Sequence, residues 1–81
     1  MKKEDIANII TAIEEVTGDP TVPKNVKNKL SNIINILNDE ADTLIQVNKA
    51  LDELEDIQSD SNLQAFTRTQ ILNITSLLET I

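Results

Sequence analysis

The chain has 81 residues, 14 acidic against seven basic side chains, and a formal net charge of −7. Because it contains no His and no Cys, it lacks a neutral-pH histidine base, a thiol nucleophile, disulfides and the usual zinc ligands. The negative charge opposes binding to duplex DNA or an anionic membrane, and no apolar run reaches the ~18–20 residues of a membrane span. We therefore expect one cytoplasmic domain over residues 1–81, with no cofactor, no metal site and no membrane partner.

The first two helices are predicted from apolar spacing and from helix breakers. The helix-breaking residues lie close together: Gly18, Pro20 and Pro23. Apolar residues at helical spacing indicate a helix over residues 4–17, which Gly18 in the left-handed conformation would end. Thr21 is a suitable N-cap, with Pro23 in the first turn, for a second helix over about 22–38.

Two further helices are predicted in the second half of the chain. Asn38 supplies a cap, followed by the acids Asp39 and Glu40, for a third helix over about 39–59. A fourth helix is predicted over about 63–80. The predicted buried stripe of the third helix consists of Leu44, Val47, Leu51 and Leu54. Because short loops join helices of similar length, we predict an all-α, antiparallel up-and-down four-helix bundle.

An internal repeat adds detail to this fold. When the chain is shifted by 41 residues, apolar and polar positions coincide. The coinciding pairs include Ile13 with Leu54, Leu30 with Ile71, Asp19 with Asp60, and Lys27 with Arg68. Shared polar positions around a turn are harder to obtain by chance than apolar positions in amphipathic helices. We predict two duplicated α-hairpins, hairpin one over about 4–38 and hairpin two over about 39–80.

Three basic residues near helix N-termini form a candidate anion or partner site. Lys24 and Lys27 lie in the first turns of the second helix, and Arg68 holds the equivalent place in the fourth. The repeat also sets Glu14 opposite Lys27 and Glu55 opposite Arg68, which favours ordinary exposed ion pairs. A small-anion or nucleic-acid-associated accessory protein that uses these three basic residues is the alternative function.

Four apolar residues lie off the predicted buried stripes and form a candidate self-association face. They are Ile34, Ile36, Ile45 and Leu72. Such residues predict a homodimer or a contact with another protein. No serine has a histidine beside it, and the acidic run at 52–56 lacks the histidine of di-metal bundles, so catalytic chemistry is unsupported. The favoured interpretation is a small non-catalytic structural or protein-interaction module that self-associates.

The turn at 19–23, Asp-Pro-Thr-Val-Pro, leads into a basic helix and resembles uncharacterised protein family 0147, a group of small archaeal proteins. Segments 50–57 and 68–71 extend the resemblance, which covers the chain from about residue 6 to the end. Ser61 and Gln64 stand where the family often has prolines. The resemblance implies an archaeal, cytoplasmic protein with duplicated α-hairpins packed as a four-helix bundle. It implies no activity, substrate or catalytic residue.

Overall fold

The computed structural model describes residues 3–39 and 42–81 and contains four α-helices. Their bounds are Lys3–Thr17 for α1, Lys24–Asn38 for α2, Thr43–Gln58 for α3 and Ala65–Glu79 for α4. No residue in these two ranges lies in a β-strand. The principal extents are 33 × 20 × 20 Å, so the long axis exceeds the roughly 22 Å of a 15-residue helix. The prediction of an all-α fold with four helices is confirmed.

The core is built from apolar residues at three- and four-residue spacing on all four helices. One fully buried residue from each helix illustrates the repeat: Ile13, Leu30, Leu54 and Ile71 are each 0% exposed. They form two of the pairs predicted 41 residues apart. Complete burial of a Leu or Ile side chain contributes roughly 1.5–3 kcal/mol. The repeated apolar positions therefore supply much of the stabilisation of the fold.

Each helix contacts two others. The contacting pairs are α1 with α2, α2 with α3, α3 with α4, and α4 with α1, and the described residues give no contact for the diagonal pairs. Polar side chains join α2 to α3 and the turn after it: Asn25 to Asp60 at 3.2 Å, Lys29 to Asp56 at 2.5 Å and Asn32 to Glu53 at 3.5 Å. As the residue number rises along α2, that of its partner falls.

The end of α1 is predicted correctly, but the predicted conformation of Gly18 is wrong. The helix ends at Thr17, and Gly18 does not have a positive φ angle. Its N–H donates to the Glu14 carbonyl at 2.9 Å, and the Asp19 N–H donates to the Val16 carbonyl at 3.1 Å. The second of these spans only three residues and tightens the last turn, so no left-handed residue is needed to satisfy these carbonyls.

The predicted start of α2 is also corrected. Pro23, with φ −58°, occupies the N-cap position, and no side chain caps the helix. Thr21 does not serve as the N-cap because both its N–H and its hydroxyl donate to Asp19 Oδ1, at 2.9 and 2.7 Å. The Thr21 side chain thus stabilises the turn between α1 and α2 instead of the helix that follows.

α3 begins four residues later than predicted, at Thr43. Asp42 is its N-cap, with Oδ1 accepting from the Leu44 N–H at 2.9 Å, while Asp39 has an extended backbone at the end of α2. Glu40, predicted in the first turn, lies outside the described residues. Leu44 is 67% exposed and is not part of the core, because it lies about 120° around the helix from buried Ala50.

Candidate functional site

The turn between α1 and α2 and the turn between α3 and α4 have the same hydrogen bonds. Asp19 Oδ1 accepts from the Thr21 N–H, and Asp60 Oδ1 accepts from the Asn62 N–H, each at 2.9 Å. Aspartate favours such turns because its short side chain reaches the backbone two residues on. Asn25, at the start of α2, donates to Asp60 Oδ2, so the predicted anion site and the second turn lie at the same end of the molecule.

Both turn carboxylates are stabilised in their charged form. The Thr21 backbone N–H and then its hydroxyl lower the pKa of Asp19 from its ordinary value. The Asn62 backbone N–H and then the Asn25 amide lower the pKa of Asp60, and the charges of Lys29 and Arg68 act in the same direction. Hydrogen bonds to a carboxylate favour its ionised form. Two negative charges therefore stand close to the place where an anion was predicted to bind.

Arg68 binds the end of α3, so its predicted ion pair with Glu55 is wrong. Its guanidinium donates to the Gln58 carbonyl at 2.6 Å, to Gln58 Oε1 at 3.1 Å and to the Asp60 carbonyl at 3.0 Å. The Gln58 amide in turn donates to the Arg68 carbonyl at 3.2 Å. The guanidinium satisfies the Gln58 carbonyl, which has no partner within α3, and is a second donor to the Asp60 carbonyl, which also accepts from the Leu63 N–H.

The two lysines of the candidate anion site do not join Arg68. Lys24 is exposed and Lys27 is half-buried on α2, whereas Arg68 is directed at α3, and α2 does not contact α4 in the described residues. The predicted pair of Glu14 with Lys27 is wrong as well. Among the side chains of residues 4–39 and 42–81 the ion pair is Lys29 with Asp56, whose hydrogen bond raises the pKa of Lys29. Arg68 is therefore bound to the end of α3 and the turn that follows it, whereas Lys24 and Lys27 lie on α2.

The described residues contain no cluster of three or more acidic groups arranged to hold a metal ion. They also contain no helix that combines the length and the apolar character needed to cross a bilayer. Two acidic residues of α3, Asp56 and Glu53, instead accept hydrogen bonds from Lys29 and Asn32 of α2.

The four residues of the candidate self-association face are divided among three helices. Ile45 on α3 and Leu72 on α4 are exposed, at 51% and 52%. Ile34 and Ile36 on α2 are half-buried, and Ile34 packs against the core cluster. Two residues apart on a helix, they lie about 160° from each other and so on opposite flanks of α2. The structure does not bring all four onto one surface.

Four further exposed apolar residues were missed from the sequence: Leu44 at 67%, Phe66 at 68%, Leu77 at 45% and Ile81 at 37%. Phe66, Leu77 and Ile81 lie near Leu72 in the sequence. Four of the six large apolar residues exposed in the described structure therefore fall within residues 66–81. The available signal was the spacing of Phe66 and Leu77. They lie 11 residues apart, about three turns, and both fall outside the buried stripe of α4.

The chain is similar along its whole length to proteins of one family. Residues 1–81 match the model of an uncharacterised protein family, UPF0147. A UPF0147 protein from Methanosarcina mazei is 39% identical over 79 residues, which cover 96% of this chain and 85% of that protein. A UPF0147 protein from Archaeoglobus fulgidus is 35% identical over 81 residues, which cover 100% of this chain and 93% of that protein.

A solved structure has the same fold. The crystal structure of the unknown function protein MMP1188 has a TM-score of 0.93 and 38% sequence identity. The match covers 100% of this chain and 93% of that protein's chain. The turn that begins at Asp19 and leads into a basic helix predicted the same family from the residues alone. From its matches along the whole length, the chain belongs to the uncharacterised protein family UPF0147, which has archaeal members.

Proposed function

We propose that this protein is a non-catalytic structural or protein-interaction module of the cytoplasm that acts by self-association. The observation that carries the proposal is the exposure of six large apolar side chains in the described structure, four of them within residues 66–81. Single exposed apolar residues are ordinary, but several on one helix are typical of an interaction surface.

A structural role also agrees with the way in which polar side chains are used. Arg68 binds carbonyls at the end of α3, and Asp19 and Asp60 bind backbone N–H groups in the turns. These side chains already have their hydrogen-bond partners within the fold. The chain has no His or Cys, so it lacks the side chains whose ordinary pKa values suit proton transfer or thiolate attack near neutral pH.

We further propose that the four helices form an antiparallel up-and-down bundle of two duplicated hairpins. The partners of α2 on α3 run in the opposite order along the chain, which supports antiparallel neighbours. Contact of each helix with two others, and none with the diagonal helix in the part of the chain that the structure describes, is typical of such a bundle. The matching hydrogen bonds of Asp19 and Asp60, 41 residues apart, support duplication.

Sedimentation equilibrium of the full chain tests self-association. We expect the average mass to rise toward that of a dimer over about 5–500 µM, the range suited to a small interface. Because two molecules of charge −7 repel each other, association should also strengthen when salt is added. A mass that stays at 9.0 kDa at every protein and salt concentration would contradict the proposal.

A further inference from the structure

The outer face of α4 differs from those of α1 and α3 because it carries almost no charge. Among the described side chains, α1 and α3 each expose four charged residues, whereas α4 exposes Glu79 alone. Its other exposed residues are Ala65, Phe66, Thr69, Leu72, Asn73, Ser76 and Leu77. Surfaces that lack charge and retain aromatic and aliphatic groups have the composition of interface cores.

The side chain of Arg68 and the composition of α2 both distinguish the face of α4 further. Arg68, the other charged residue of α4, leaves this face uncharged because its guanidinium is bound to Gln58 and Asp60. α2 also exposes a single charge, Lys24, but its remaining exposed residues are five Asn and one Ser. Those side chains keep their hydration readily, so α2 has little to gain from contact. The face of α4 is both uncharged and partly apolar.

We infer that this face packs against the same face of α4 in a second copy of the chain, with the two helices antiparallel. The inference rests on the proposed self-association and names its interface. A two-fold axis at the level of Ile71 and Leu72 lies midway between Phe66 and Leu77. It therefore brings Phe66 of each copy against Leu77 of the other, whereas Leu72 lies about 120–140° around the helix from both.

An unpaired polar group on the side of this face that borders α1 fits the same arrangement. Gln70 Oε1 is buried and has no hydrogen-bond partner in the described structure. Gln70 and Asn73 both border the groove between α1 and α4, and they lie at equal distances from the two-fold axis. Asn73 of the second copy thus comes beside Gln70, and its amide can donate to this oxygen once the Gln70 amide turns outward. Pairing of this oxygen would remove the cost of leaving it unsatisfied.

A second copy fits this face better than a different protein. Two chains of charge −7 repel each other wherever acidic surfaces meet, and the uncharged face of α4 is where that repulsion is least. A basic partner would instead be attracted to exposed acids such as Asp52 on α3. The pair Phe66 and Leu77 and the pair Gln70 and Asn73 share one midpoint, so a single two-fold axis relates both pairs, as a self-complementary interface requires.

The size of the face sets the strength of the contact. The 15 residues of α4 extend over about 22 Å, so one helical face falls short of the ~800 Å² per partner of a standard interface. Two acidic residues of α1 border this same side of α4: Asp5 lines a groove with Leu77, and Glu15 lines the groove that contains Gln70 and Asn73. Both add repulsion to the contact. We therefore expect a weak dimer that dissociates on dilution and is strengthened by salt.

Charge substitution on the full chain tests the interface and its register. Phe66→Lys and Leu77→Glu each set a charge against an apolar residue of the other copy. Each alone should weaken dimerisation at least tenfold in sedimentation equilibrium. An equimolar mixture should restore it, because the new lysine of one chain then meets the new glutamate of the other. The matched controls Asn28→Lys and Asn35→Glu, exposed on α2, should dimerise like the unmodified chain.

The outcomes separate this inference from the proposed function. If the unmodified chain is monomeric at every protein and salt concentration, both the proposed self-association and this interface are wrong, and the face of α4 would have to bind another protein. If it dimerises but the two α4 variants dimerise equally well, the inference alone is overturned. If both variants are monomeric and their mixture stays so, the antiparallel register is wrong. Circular dichroism verifies that each variant is folded.

A cross-linking measurement gives a second test with smaller substitutions. The natural chain has no Cys, so Phe66→Cys and Leu77→Cys each introduce one thiol. Mild oxidation of an equimolar mixture should yield the mixed disulfide in excess over either symmetric product. A statistical distribution of the three products would overturn the antiparallel arrangement.

Discussion

The guanidinium of Arg68 stabilises the C-terminal end of α3, where the last carbonyls have no partner within the helix. α3 has no basic residue in its own last turn, so Arg68 supplies the positive charge that favours this end of the helix dipole. Its two nitrogens reach the carbonyls of Gln58 and Asp60 at 2.6 and 3.0 Å. Lysine, with a single nitrogen, could not match this geometry.

Substitution of Arg68 should therefore cost stability. Because Arg68→Ala leaves the half-buried carbonyls of Gln58 and Asp60 without their charged donor, we expect a loss of about 1–3 kcal/mol in the free energy of unfolding. Lys27→Ala is the matched control at the equivalent position of the repeat. Lys27 donates no side-chain hydrogen bond in the described structure, so its removal should change the free energy by less than about 0.5 kcal/mol. Urea denaturation measures both, and equal losses would contradict this role of Arg68.

Residue types and spacing could not reveal the contacts of Arg68 with the carbonyls of Gln58 and Asp60. The repeat predicts that Arg68 and Lys27 are equivalent, and pairing with Glu55 follows from charge alone. The actual acceptors are backbone carbonyls, which every residue has and which become available only where a helix ends. Gln46 is a second example. It is buried, and its amide donates to the carbonyls of Ile36 and Asp39 at the end of α2, a position where a polar residue does not fit the apolar stripe.

At the scale of elements, the sequence predicted the helices better than the conformations at their ends. Apolar spacing predicted four helices, with α1 ending correctly at Thr17. The N-caps were wrong because Thr21 and Asn38 are good capping residues by type, and only the folded turn shows that Pro23 and Asp42 hold those positions. Several polar residues in a short loop compete for one cap, and sequence alone does not rank them.

The two aspartate turns predict how stability depends on acid. Hydrogen bonds from backbone N–H groups lower the pKa of Asp19 and of Asp60 in the folded chain. Their stabilising contribution is therefore complete above the unfolded pKa, near 3.8, and is lost as the pH falls through the lower folded values. We expect the midpoint of thermal unfolding to fall as the pH is lowered below about 4.

Asp60→Asn provides the test, since it keeps an oxygen for the Asn62 N–H and removes the charge. Its midpoint should vary less with pH between about 2 and 5 than that of the unmodified chain. Asp52→Asn is the matched control, because Asp52 is exposed and accepts no side-chain hydrogen bond in the described structure. If the control flattened the pH profile as much as Asp60→Asn, the turn would not be the source of the effect.

Across the whole molecule, polar side chains join the helices unevenly. α2 and α3 are linked by Lys29 with Asp56, by Asn32 with Glu53 and by the Gln46 amide. α3 and α4 are linked by Arg68 and Gln58. Among the described side chains, those of residues 4–39 and 42–81, no hydrogen bond joins α1 to another helix. α1 is held by apolar contacts, through residues such as Ile9, Ile13 and Val16.

This difference predicts that α1 detaches before the remaining helices unfold. Its opening exposes apolar surface but breaks no interhelical side-chain hydrogen bond or ion pair in the described structure, so it should need less free energy than opening α3. Native-state hydrogen exchange can compare the amides of Ile13 and Leu54, which hold equivalent repeat positions and are both 0% exposed. We expect Ile13 to exchange at least tenfold faster, a difference of about 1.4 kcal/mol. Equal exchange rates would mean that the apolar contacts alone couple all four helices into one cooperative unit.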